Sequence, residues 1–183
     1  MVELQDGLIK VRDELREQAM HDALTHLLNR RAIMDCLAGE LSRATRERKP
    51  LTVMMLDIDH FKSVNDKFGH PVGDGVLCEV SRRLRASIRA YDDVGRFGGE
   101  EFLVVASSCD ETAGLALAER LCQVVRSEPI IVKDISINAT ISVGVATARE
   151  FNPETHEALL SAADKALYNA KKKGRNRVEQ HSL

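Results

Sequence analysis

Apolar positions recur along this chain in two periods, and the alternation between them predicts its elements. Leu4, Leu8, Val11 and Leu15 are spaced by four, three and four residues with charges between them. That pattern predicts a helix over residues 1–21, whose apolar stripe is either the seam of a short coiled coil or a face laid on its own domain. A polar, Leu-rich connector follows from Asp22 and ends at Asn29, a good helix N-cap. Ile33, Leu37, Leu41 and Ala44 then mark one face of a helix, which Lys49-Pro50 stops. Leu51 to Leu56 is a continuous apolar run, as a buried central strand requires. Residues 60–74 are polar and glycine-punctuated and read as a connection, and helical spacing resumes from Gly75 to Ala90. Two short apolar runs, Val94 to Phe97 and Phe102 to Ala106, flank Gly98-Gly99 and predict a β-hairpin with a tight primed turn. A helix over Thr112–Arg126 and one half-buried strand from Ile137 to Val145 come next. Asn152-Pro153 opens a last helix, which runs to Lys171 and is capped by Gly174.

Strands and helices interleave, but the hairpin demands antiparallel pairing. The fold class is therefore α/β, more strictly α+β, with a mixed, largely antiparallel sheet flanked by helices. At 183 residues the chain fits one domain with a short extension. A net charge of −2 points to neither a nucleic-acid partner nor a membrane surface. No apolar run is long enough to cross a bilayer, and the N-terminus lacks the apolar core of a signal peptide. The four cysteines (36, 78, 109 and 122) form no CxxC pair, so buried, reduced thiols in a cytoplasmic protein are expected.

Candidate chemistry sits at three places. Asp57-Ile58-Asp59 puts carboxylates just past a buried strand, where they are costly unless solvated or bound to a cation. Gly98-Gly99 is followed at once by Glu100 and Glu101, where glycine leaves room for a bulky anion to approach the backbone. Neighbouring strand residues point to opposite faces, so the two glutamates cannot share one role. The basic cluster from Lys171 to Arg177 suits a helix C-terminus and an anionic ligand equally well.

Four motifs occur in one order: Asp22-x-Leu-Thr with Asn29-Arg30; Asp57-Ile-Asp-x-Phe-Lys62 with Asn65-Asp66, Gly69-His70 and Gly73-Asp74; Gly98-Gly-Glu-Glu-Phe102; and Lys171 with Gly174-Arg175-Asn176. Together they resemble the GGDEF domain, the catalytic module of diguanylate cyclases, here with the GGEEF signature. The resemblance implies a palm-like nucleotidyl-cyclase core over residues 22–178, preceded by a helical linker over 1–21 and followed by a tail over 179–183. It implies that two GTP are condensed into cyclic di-GMP with release of two pyrophosphates, by a homodimer in which each domain holds one GTP. Two Mg²⁺ per site, with Mn²⁺ as a substitute, would be held by Asp57, Glu100 and the Ile58 carbonyl, and Glu100 would be the catalytic carboxylate. Phe61 amides, Lys62, Lys171 and Arg175 would grip the phosphates, and Gly98 and Gly99 would give the nucleotide room. Asn65 and Asp74 match the guanine-reading positions, because a carboxylate accepts from an N1–H and N2–H₂ edge that adenine lacks. For His70, as for Asp59, ligand contact and local loop bonding weigh the same. Arg89-Ala-Tyr-Asp92 resembles the RxxD product-inhibition site, with Arg120 as a third contact. An upstream sensor domain is the implied partner of the N-terminal helix. The alternative is a catalytically silent module that binds GTP or cyclic di-GMP and signals to a partner.

Overall fold

The computed structural model describes residues 19–148 and 156–181. The seam of Leu4, Leu8, Val11 and Leu15 and the Asn152-Pro153 helix start lie outside them. Strand β1 (Leu51–Ile58) is buried along its whole length. Its side chains alternate between two cores: Met54, Leu56 and Ile58 face one, and Leu51, Val53 and Met55 face the other. Each fully buried aliphatic side chain of this kind contributes roughly 1.5–3 kcal/mol.

Helix α1 (Arg30–Glu47) begins at Asn29, whose side chain accepts the Ala32 N–H at 3.0 Å. After β1 come two helices, α2 (Phe61–Phe68) and α3 (His70–Ser87). Strands β2 (Asp93–Arg96) and β3 (Glu101–Ser107) form the hairpin, and helix α4 (Glu111–Arg126) follows. Strands β4 (Ile130–Val132) and β5 (Ile135–Ile137) pair with each other alone. Strand β6 (Ile141–Ala148), helix α5 (His156–Lys172) and strand β7 (Val178–His181) complete the chain. The main sheet has the order β2-β3-β1-β6-β7 and is antiparallel except between β6 and β7. One face carries Val76, Leu77, Leu117 and Leu121 from α3 and α4; the other carries Ile33, Leu37, Ala163 and Leu167 from α1 and α5. The mixed, largely antiparallel α+β fold is as the sequence predicts.

Four local expectations are corrected. Most of residues 60–74 is helical, in α2 and the start of α3: of the two glycines read as loop punctuation, Gly69 joins the helices at φ +84° and Gly73 lies inside α3, where a side chain would strike Asn65. The hairpin tip spans four residues, 97–100, and neither glycine has positive φ, so it is no two-residue primed turn. The Glu101 carbonyl accepts two tip amides, from Phe97 at 2.8 Å and Gly98 at 3.2 Å. The stretch 137–145 is divided between β5 and β6, a break that no glycine or proline announces. Finally, Cys78 is exposed and Cys36 is half-buried, while Cys109 and Cys122 are buried; all four are free thiols.

Candidate active site

The exit of β1 is where the charges meet. Asp57 lies opposite Glu101 in the β1–β3 register, and the next amide, that of Ile58, donates to the Glu100 carbonyl at 3.2 Å. The hairpin tip is thereby fastened to the end of the central strand. Asp57 is 6% exposed. Burial pushes its carboxyl above the usual carboxylate value, although Lys171 opposes the shift. Glu100 is also pushed up, first by burial and then by the negative charge of Asp57. The Lys171 Nζ reaches Asp57 Oδ2 at 2.7 Å.

Lys171 arrives there because α5 lies unusually close to the sheet. A side chain at Gly144 on β6 would collide with the α5 backbone at Ala163 and Leu167. Gly144 pairs with Met55 of β1, so the helix turn after Leu167 passes over the end of that strand. Beyond the helix, Gly174 adopts φ +111° and the Arg175 N–H bonds the Ala170 carbonyl at 3.0 Å, as a glycine cap does. Arg175 is exposed, and its charge acts on Asp57.

Asp59 is 7% exposed and is met by three donors. Oδ1 accepts Ser142 Oγ at 2.6 Å, and Oδ2 accepts Thr140 Oγ1 at 2.7 Å and the Asn176 N–H at 3.0 Å. For this residue, local bonding is what the structure records.

Helix α2 is preceded by His60, which has φ 57° and contributes no side-chain cap. The first-turn amides at Phe61 and Lys62 therefore have no side-chain acceptor at that end, the arrangement that favours an anion. Phe61 is buried, and Lys62, His70 and Asp74 are exposed. The Asn65 Oδ1 is buried without a partner and packs against Gly73, the neighbour of Asp74. An unpaired buried acceptor of this kind is costly until a donor meets it.

A residue that motif reading passed over is Arg96. Its Nη2 and Nε donate to the Gly99 carbonyl at 2.7 and 3.2 Å, and its Nη1 donates to Asp22 Oδ1 at 3.1 Å. Burial would raise the Asp22 carboxyl, but hydrogen bonds from Thr25 and Arg96 outweigh it and hold it below the usual value. The signal available in the sequence was an arginine two residues before the glycine pair; one of its partners is a backbone carbonyl, which a sequence does not mark, and the other, Asp22, is 74 residues away.

The Arg89–Asp92 turn stands apart from this site, at the far end of α3. Asp92 is 1% exposed; its Oδ2 accepts the Arg89 N–H at 3.2 Å, and its Oδ1 is without a partner. Arg89 is exposed and lies over the Tyr91 ring at 5.7 Å. Arg120 of α4 joins the same corner by donating to the Ser87 carbonyl at 2.8 Å.

No group of three or more His, Cys, Asp or Glu stands together as a metal cage among the described residues. Burial holds both carboxyls toward their protonated forms, Asp57 adds to the shift at Glu100, and Lys171 offsets only part of it, so a further positive charge would be favourable here. Mg²⁺ suits such a site, because it is commonly held by one or two carboxylates and completes its shell with water and substrate phosphates.

The chain as a whole is similar to known proteins. A model of the family described as diguanylate cyclase, GGDEF domain, matches residues 19–177. Diguanylate cyclase DgcP of Pseudomonas aeruginosa is 42% identical over 167 residues, which are 91% of this chain and 25% of that protein. Response regulator PleD of Caulobacter vibrioides is 43% identical over 169 residues, covering 91% of this chain and 37% of that one. The chain thus spans between a quarter and two-fifths of the length of these two relatives. Among solved structures, the coiled coil and GGDEF domain of DgcB from Caulobacter crescentus, in complex with c-di-GMP, superposes with a TM-score of 0.85 at 28% identity, covering 100% of this chain and 98% of that chain.

Proposed function

This chain belongs to the diguanylate cyclase GGDEF family, and from that membership we propose that it condenses two GTP into cyclic di-GMP, releasing two pyrophosphates. The observation that carries the reading is the convergence of Asp57, Glu100 and Lys171 at the end of β1, with both carboxyls pushed up. Asp57, Glu100 and the Ile58 carbonyl would hold Mg²⁺, which when bound supplies Lewis-acid stabilisation of charge on the phosphates. Lys171, Arg175, Lys62 and the first amides of α2 bind the triphosphate and fix its α-phosphate in line for attack. Gly99 leaves open space beside the tip, since nothing lies within 4 Å of where its Cβ would be. Asn65 and Asp74 read the guanine edge: the unpaired Asn65 Oδ1 is an acceptor waiting for a donor, and Asp74 accepts the N1–H and N2–H₂ pair.

Each domain binds one GTP, so the reaction needs two domains facing each other, and activity requires a dimer. The product inhibits by occupying the Arg89–Asp92 turn with help from Arg120, where Arg89 offers a planar fork to a guanine or a phosphate.

The test is chromatography of the products after incubation with GTP and Mg²⁺. Cyclic di-GMP and pyrophosphate are expected, with specific activity rising with protein concentration, and added cyclic di-GMP should slow wild type but not Arg89→Ala. Tight binding of GTP with no product at any concentration would put a silent signalling module in its place.

A further inference from the structure

Asp59 is two residues past Asp57 and belongs to the same acidic pair, yet it is spent differently. Both oxygens are engaged by Ser142, Thr140 and the Asn176 amide, and its own N–H donates to the Thr140 carbonyl at 2.9 Å. These four bonds join the end of β1, the start of β6 and the turn after α5. That turn is unusual: Gly174, Arg175 and Asn176 have φ of +111°, +62° and +47° in succession. Only the first is glycine. Two consecutive side-chain-bearing residues in the left-handed region persist only where their surroundings over-determine them. The peptides around Arg175 are held on both sides: its N–H bonds Ala170 O at 3.0 Å, and the following N–H bonds Asp59. One residue further, the Arg177 carbonyl accepts the Val143 N–H at 2.9 Å, which starts β7 along β6.

We propose that Asp59 is a positioning residue: its carboxylate holds the left-handed 174–176 turn and so aims Arg175 at the Asp57–Glu100 pair. The inference rests on the triphosphate-gripping role given above to Arg175. With the Asn176 amide released, residues 175 and 176 relax to ordinary backbone angles, the Cα–Cβ direction of Arg175 swings, and its charge leaves Asp57. Both Asp59 oxygens are already engaged, by the Ser142 and Thr140 hydroxyls and the Asn176 amide, so its carboxylate serves the turn rather than a cation.

The experiment is calorimetric binding of a GTP analogue with a non-hydrolysable α–β bond, in the presence of Mg²⁺, to wild type, Asp59→Asn, Arg175→Ala and the double variant. Asp59→Asn and Arg175→Ala are each expected to weaken binding about tenfold, the scale of one charge-assisted contact. The double variant should bind about as weakly as Arg175→Ala alone, because the two act through one contact. The Mg²⁺ concentration for half-maximal analogue binding should be the same in Arg175→Ala and in the double variant. A double variant weakened by the product of the single effects, or one needing more Mg²⁺, overturns the proposal and makes Asp59 an independent ligand. Unchanged binding by Asp59→Asn overturns it too, whereas failure of wild type to bind the analogue would instead remove the functional reading beneath it. Should Asp59→Asn not fold, Ser142→Ala removes only the 2.6 Å bond. It should weaken binding about two- to fivefold in wild type and not at all in Arg175→Ala, and equal weakening in both overturns the proposal.

Discussion

The hairpin tip at 97–100 and the turn at 174–176 are both signalled by glycine, and both deliver charge to the end of β1, but they do so by opposite means. At the tip the backbone is ordinary, and the glycines provide room: Gly99 faces open space, and a side chain at Gly98 would run into the Glu101 carboxylate. The tip is held from the side by Arg96, which reaches both the Gly99 carbonyl and Asp22. In the 174–176 turn the backbone itself is the unusual feature, and it is held by main-chain amides bonded to Ala170 and Asp59. A glycine that makes space is tested by ligand binding; a glycine that permits a backbone angle is tested by stability.

The largest effect should come from the group the tip presents. Glu100→Gln keeps the shape but removes the charge, and loss of that kind of electrostatic stabilisation costs ~10²–10³ in rate or more. Because burial and Asp57 already disfavour the Glu100 carboxylate, the amide should leave the stability of the cation-free protein unchanged or slightly raised. Near-normal GTP consumption by this variant would contradict the assignment of Glu100.

The two glycines should then separate cleanly. Gly174→Ala puts a Cβ on a backbone at φ +111° and should cost about 1–2 kcal/mol of stability. Gly99→Ala meets neither a positive φ nor a neighbour and should cost close to nothing in a denaturant titration, while weakening GTP binding. Equal losses of stability at both positions would show that the tip and the turn work alike after all.

That contrast also explains what could be read in advance. Periodicity exposed α1, β1, α4 and the hairpin strands, because each buries a regular stripe such as Ile33 and Leu37 or Met54 and Leu56. It missed α2 and the first turn of α3, where Gly73 serves the close approach of Asn65 rather than a loop. It missed β7, in which Val178 is the lone apolar residue and whose pairing depends on β6. Motif resemblance brought Asp57, Glu100 and Lys171 together on the page, and the structure sets Lys171 against Asp57. Arg96 stayed out of sight because the Gly99 carbonyl it holds is a main-chain group, which every residue possesses. For Asp59 the choice between local bonding and ligand contact needed the fold, which sets Ser142, Thr140 and the Asn176 amide around it.

A smaller effect is expected at the side-held tip. Asp22→Asn removes the charge opposite Arg96 from a pair whose side chains are 24% and 18% exposed. Such a part-buried pair is worth about 1 kcal/mol. The Asp22 carboxyl is held below its ordinary value, so its contribution is present above the usual carboxylate range and lost as pH falls through the lowered value. Wild type should therefore lose this increment in acid, and Asp22→Asn should not. GTP turnover of the variant should fall as the tip loosens; identical acid profiles for wild type and Asp22→Asn would remove Asp22 from the account.

The finest test uses the carboxylate pair that both regions serve. Asp57 and Glu100 both titrate above their ordinary values of 3.8 and 4.5. Without a cation, the native protein takes up protons in the window just above those values that the unfolded chain does not. Stability therefore rises as pH falls into that window and is lowest above it, where both groups are ionised against burial and each other. Mg²⁺ requires the ionised pair, so the rise in melting temperature it produces should be largest near pH ~8 and shrink toward pH ~5. For a chain of this size each 1 kcal/mol of stabilisation moves the midpoint by about 2–4 °C. Glu100→Gln should flatten this pH dependence, whereas Gly174→Ala should lower every midpoint and keep the slope. A Mg²⁺ shift that is the same at both pH values, or that grows in acid, would mean that the cation binds somewhere other than between Asp57 and Glu100.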